Sequence, residues 1–185
     1  MSTCLVGSEM CIRDRLYGGL YGTRIEDNEI SFGLNDVYKL HAVYESSDDN
    51  PPKIPYIVLS EATFFAPGTV VTGGTSGARA IVVSFINSTL RLYNVDLNGS
   101  AFSPGETVTG VDTDNNVLTA TIDDADGSVE KGSKVITNQY ELNQAQNPFF
   151  YDVSRLVRKP GTTPPTRQLM AVFDYFIHEA SGDYF

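Results

Sequence analysis

Apolar residues recur along the chain in short runs with β-branched character, and the clearest runs are headed by Pro-Gly. Phe65–Val83 (FAPGTVVTGGTSGARAIVV) carries such a run at Thr69 to Thr72. It then reaches the loop Gly73-Gly74-Thr75-Ser76-Gly77 and returns through an apolar stretch from Ala78 to Phe85, where Arg79 is the one charge. β-Branched side chains suit a pleated strand. Pro followed by Gly supplies the preset φ and then the positive φ of a tight turn. The pattern restarts 37 positions on, as Phe102–Gly110 (FSPGETVTG). Leu90 to Val95 sets Leu90 and Leu92 against Arg91 and Tyr93, and Val117 to Ile122 completes the set. Five short strands in about sixty residues predict a small closed β-barrel over 61–122. Closure would remove the unpaired edges of so small a sheet. Phe65 and Phe102 are expected at equivalent corners, each plugging one end.

The flanks read as strands of a different sheet. Short strands are predicted around Thr23 to Ile25 and at Glu29 to Phe32. Asp36 to Glu45 (DVYKLHAVYE) alternates more regularly, with Tyr38, Leu40, Ala42 and Tyr44 on one face and Lys39, His41 and Glu45 on the wetter one. Ser46 to Pro55 is a polar, proline-bearing loop, and Tyr56 to Leu59 resumes as a strand. Ser133 to Leu142 is predicted as a strand, as is Phe149 to Arg158, with short helical geometry over Val153 to Arg158 as the alternative. Gln168 to His178 (QLMAVFDYFIH) is apolar almost without a break, as a central strand covered on both faces should be. The expected fold is all-β: an antiparallel, sandwich-like host domain from 16–60 and 123–185, discontinuous because the five-stranded barrel at 61–122 is inserted in it.

Met1 to Arg15 (MSTCLVGSEMCIRDR) lacks the basic and apolar regions of a secretory signal. It resembles the translated sequencing-adapter stretch that contaminates the ends of metagenomic genes. It is therefore set aside as a non-native leader, which makes Cys4 and Cys11 accidental; the alternative is a genuine disordered N-terminal arm. Without them the chain has no cysteine for a disulfide framework. Phe185 reads as a break in mid-element, so both ends are expected to be truncated.

Charge narrows the partners. With 13 basic and 23 acidic residues the net charge is −10, which disfavours nucleic acid and anionic membrane surfaces, where cations must displace counterions. No apolar run approaches the roughly 20 residues needed to span a bilayer.

Candidate chemistry is sparse. The GGTSGA loop could cradle phosphate with its amides, but that motif opens a helix with Lys and Ser or Thr behind it. Here Ala-Arg-Ala and a strand follow, so a hairpin is expected. Asp123 to Gly127 (DDADG), near Asp112 and Asp114, begins a calcium-loop pattern that nothing completes, and plain turns are expected instead. His41 is expected as an exposed side chain. The sequence assigns no catalytic, cofactor-binding or metal-ligating residue, and the chain is expected not to be an enzyme. Paired carboxylates of a polysaccharide hydrolase need no local motif, so that class stays open.

The barrel stretch resembles a small β module of virion proteins from marine tailed phages, carried here by Phe65, Gly68, Val71 to Gly73 and Thr75 to Ala78 and echoed at Phe102 to Gly110. Gly33 to Ser46, Tyr140 to Gly161 and Arg167 to Phe185 resemble large structural proteins of cyanophages with contractile tails. The second copy departs from the pattern after Gly110, with Val111 to Asn116 in place of Thr-Ser-Gly-Ala. The resemblance implies a non-enzymatic virion component of the tail, baseplate or fibre apparatus, partnered by other virion proteins or by itself. The alternative is a glycan- or receptor-binding module for the host surface, with Tyr17, Tyr21 and Tyr93 as candidate aromatics.

Overall fold

The computed structural model describes residues 3–12, 24–94, 100–147 and 150–177, with backbone alone at 3–12, 93–94, 147, 150–151 and 177. Residues 1–2, 13–23, 95–99, 148–149 and 178–185, with Tyr17, Tyr21, Thr23, Val95, Phe149 and His178 among them, lie outside it.

In chain order the strands are β1 (Thr3–Ile12), β2 (Glu29–Ser31), β3 (Val37–Glu45), β4 (Tyr56–Val58), β5 (Val70–Gly73), β6 (Arg79–Ile86), β7 (Thr89–Asn94), β8 (Thr107–Val111), β9 (Val117–Thr121) and β10 (Val129–Glu130). They continue with β11 (Lys134–Val135), a 3-10 turn (Thr137–Gln139), β12 (Tyr140–Asn143), β13 (Gln146–Asn147), β14 (Phe150–Tyr151), β15 (Arg155–Arg158) and β16 (Leu169–Ile177). The protein is all-β and its sheets are antiparallel. The helical alternative over Val153 to Arg158 is not adopted. No helix among the described residues is long and apolar enough to cross a membrane.

The chain divides into two compact units, one from 1–52 with 134–185, the other Lys53–Ser133. In the first, a sheet ordered β1-β16-β3-β11 and a smaller one ordered β12-β15-β2 share one core. Ile30, Tyr140 and Leu156 come from the small sheet, and Val37, Val43, Leu169, Ala171 and Phe173 from the large one. Phe32 meets Phe173 with ring centroids 4.5 Å apart. The arrangement is sandwich-like. β16 is central: Leu169 through Asp174 are all buried, which is why its sequence shows no alternation. Thr3–Ile12, set aside as a leader, forms the strand beside it, with Thr3 opposite Ile177 and Ile12 opposite Leu169.

The second unit is a seven-stranded sheet ordered β10-β4-β7-β6-β5-β8-β9. It differs from the expected five-stranded closed barrel on two counts. β4, read as a flanking strand, belongs to this sheet and pairs with β7, and β10, which the sequence did not reveal, pairs with it at Val129–Ile57. The ladder is not closed. A single bridge, Leu59 to Ile122, and the bonds from Ser60 N to Thr121 O and from Asp123 N to Val58 O link its far side back to β4. The core is Ile57, Phe65, Val71, Val82, Leu90, Leu92, Val108 and Ile122 with smaller neighbours. Entry and exit lie side by side: Lys53 N donates to Ser133 Oγ and Ser133 N to Lys53 O, each at 2.9 Å.

The repeat read in the sequence becomes a symmetry in space. Each Pro-Gly forms a turn closed from position four to position one, Thr69 N to Ala66 O and Glu106 N to Ser103 O. Gly68 at φ +89 and Gly105 at φ +74 supply the left-handed third position, where a side chain would clash. Each turn then meets a return strand the same way. Gly68 N donates to Val82 O and Val82 N to Thr69 O, while Gly105 N donates to Ile122 O and Ile122 N to Glu106 O. β5 and β8 pair antiparallel with Val71 opposite Gly110, Thr72 opposite Thr109 and Gly73 opposite Val108. Exchanging the copies exchanges the outer two pairs and leaves Thr72–Thr109 in place, so a pseudo-twofold axis passes through that pair.

Candidate functional site

The GGTSGA loop does join two strands as a hairpin, with Gly73 N donating to Ala78 O at 2.8 Å. Its amides converge as in an anion cradle, but an internal carboxylate holds them. Glu106 Oε2 accepts from the Thr75 and Ser76 amides at 3.2 and 2.9 Å. Oε1 accepts from the Ser76 hydroxyl at 2.9 Å and the Ser103 amide at 2.7 Å. Burial pushes the Glu106 carboxyl up, and the four donated bonds outweigh it and hold it below the usual glutamate range. A phosphate would have to displace a buried carboxylate, so the phosphate reading loses its donors. A Cβ on Gly73 would lie 2.5 Å from Ser76 Oγ and 2.8 Å from Glu106 Oε2; the glycine is there for this close approach.

The acidic turns are likewise self-contained. Asp112 Oδ1 accepts from the Asp114 and Asn116 amides, and Asp123 Oδ1 from the Ala125 amide. The bonds to Asn116, side chain first, hold the Asp112 carboxyl below its ordinary value. Among the described residues no group of three His, Cys, Asp or Glu side chains could hold a metal ion.

The least expected polar cluster lies in the first unit. The pairing of β3 with β16 slips twice: Val172 faces Ala42 but Phe173 faces Leu40, and Asp174 faces Lys39 but Tyr175 faces Val37. His41 and Tyr38 are the two extra residues. Bulges re-aim side chains, and here both reach the same carboxylate. His41 Nε2 lies 2.7 Å from Asp174 Oδ2, both side chains only 4% exposed, and the Tyr38 hydroxyl donates to the same oxygen at 3.4 Å. The expectation of an exposed His41 is thus corrected: each bulge reverses the alternation on which it rested. Glu45, also expected on the wetter face, is buried and accepts from Lys134 Nζ and the Thr166 amide, each at 3.0 Å.

Tyr38 also lines an open groove of about 830 Å³ with Lys39, Glu29, Glu141, Asn143 and Gln144. Its ring stacks on Phe176 at 4.6 Å, and its carbonyl accepts from Gln144 Nε2 at 3.1 Å. Glu141 and Glu29 both lie opposite Val157, one from each neighbouring strand. Their backbones are therefore about 10 Å apart, two strand spacings. Glu29 is committed to Arg155 Nη1 at 3.2 Å. A lining of carboxylates and amides around an anchored tyrosine suits a hydroxyl-rich ligand better than an anion. Of the aromatics named from the sequence, Tyr17 and Tyr21 lie outside the described residues, and Tyr93 enters through its backbone, opposite Ile81. Tyr38 had no signal beyond its place in an alternating run.

No protein-family model, no curated protein and no solved structure matches the chain.

Proposed function

We propose that the chain is a non-enzymatic structural component of a tailed-phage virion, of the tail, baseplate or fibre apparatus, assembling with other virion proteins or with itself. The observation that carries this reading is modular construction around the repeat. The duplicated Phe-x-Pro-Gly motif sits in a unit whose two ends are bonded to each other at Lys53 and Ser133. Such a unit can be carried between β3 and β11 without breaking the host sheet. The resemblance of the repeat and of the flanks Gly33 to Ser46 and Tyr140 to Gly161 to phage structural proteins supplies the particle. Two measurements test it: the position of the full gene relative to tail and baseplate genes, and mass spectrometry of purified contractile-tailed particles. A gene among unrelated metabolic genes, with its peptides missing from particles, would overturn the reading.

A second reading, a glycan- or receptor-binding module, is favoured by the groove beside Tyr38. Its test is a glycan array probed with wild type and Glu141→Lys; a charge reversal that leaves any binding untouched removes the groove from consideration.

A further inference from the structure

The internal symmetry of the second unit breaks at Phe102, and a cavity lies beside that side chain. In the first copy the Phe65 ring is fully buried and lies against Gly110, where an added Cβ would sit 3.0 Å from the ring. The pseudo-twofold axis assigns the Phe102 ring the corresponding seat over Gly73. That space is taken by Ser76 Oγ and the Glu106 carboxylate, because the second copy carries Glu106 where the first carries Thr69. Phe102 is accordingly only half-buried. Beside it lies a cavity of about 190 Å³, walled by Phe102, Ala80, Leu92, Ala101, Val129 and Pro55. Four of these walls belong to or pack against the unit's core.

We propose that this cavity is a binding site for a small monocyclic aromatic molecule carrying one polar group. Size and lining both point to that class. An enclosed apolar protein cavity of about 150 Å³ takes up benzene or xenon; this pocket is of similar volume, predominantly apolar, and open on one side, where a polar group of the ligand can face water. Among the described residues the polar lining is Ser100, Glu130 and Lys131, and the Glu130 carboxylate is already occupied by Lys53 Nζ at 3.0 Å and the Gly132 amide at 3.2 Å. The ring of the ligand packs against Phe102, Ala80, Leu92 and Val129. Its hydroxyl or amine meets the polar residues.

The test uses the full chain with phenol and benzene as probes. Thermal melts should rise with probe concentration and saturate, phenol acting at lower concentration than benzene. Ala101→Leu, which fills the void from one wall, should raise the melting temperature without probe and abolish the probe-dependent rise. Xenon NMR on the wild type needs no variant: a saturable shift displaced by benzene supports the site. No saturable response to any of the three probes, or an Ala101→Leu variant that responds as the wild type does, overturns it.

Discussion

His41 Nε2 and Asp174 Oδ2 lie 2.7 Å apart across two strands whose pairing slips at that point, and both side chains are closed off from water. Removing His41 takes away the shortest contact of the buried Asp174 carboxylate and leaves it the longer bond from the Tyr38 hydroxyl at 3.4 Å. His41→Leu should destabilise the first unit by about 3–5 kcal/mol, and the double change His41→Leu with Asp174→Leu should recover much of that loss. Urea unfolding of the three variants measures both. A double variant no more stable than the single one would show that the pair is not coupled.

Glu106 gives the second unit a titration. Its folded carboxyl is held below the unfolded value of 4.5, burial raising it and the Ser76, Ser103 and Thr75 donors lowering it further than burial raises it. A depressed folded value contributes stability above the unfolded one and loses it as pH falls through the folded one. Stability should therefore decline below about pH 4.5. Glu106→Gln should be less stable at neutral pH and flatter through the acid limb. The check is the denaturation midpoint against pH; parallel curves for the two proteins would refute the assignment.

The two copies of the motif should not be equivalent under truncation. Phe65 is fully buried, so Phe65→Ala should cost about 3–5 kcal/mol. Phe102 is half-buried beside a cavity, and Phe102→Ala should cost clearly less. Equal losses by chemical denaturation would mean that Phe102 is seated as its counterpart is.

Gly110 faces the Phe65 ring and Thr69 Cγ2, both 3.0 Å from where a Cβ would stand. The Phe65 ring is fully buried, so Gly110→Ala should destabilise by about 1–3 kcal/mol through overpacking against it. A melting temperature equal to wild type would mean that the ring can withdraw.

The all-β class could be read from β-branched runs and Pro-Gly turns because both act locally, within a few residues. The central place of Leu169–Ile177 was readable for a related reason: burial on both faces erases alternation, and the erasure is itself a pattern. What escaped depended on pairing. The bulges at Tyr38 and His41 add residues without any change in composition, so an unbroken alternation over Asp36 to Glu45 put His41 and Glu45 on the wrong face. β4 and β10 are three and two residues long, too short to declare which sheet they join. The repeat showed two copies, and the one substitution that matters between them, Glu106 for Thr69, was visible. Its consequence was not, since it depends on where the other copy's loop comes to lie.

The axis through Thr72 and Thr109 has a consequence for ancestry. An edge that pairs in register with its own duplicate is self-complementary, the property of an isologous contact between identical chains. A free peptide bearing one Phe-x-Pro-Gly hairpin would thus meet another of its kind along the same edge. Two such hairpins on one chain make that meeting intramolecular, and the halves then differ at one matched position, Thr69 in one and in the other Glu106, whose carboxylate locks its sibling's loop.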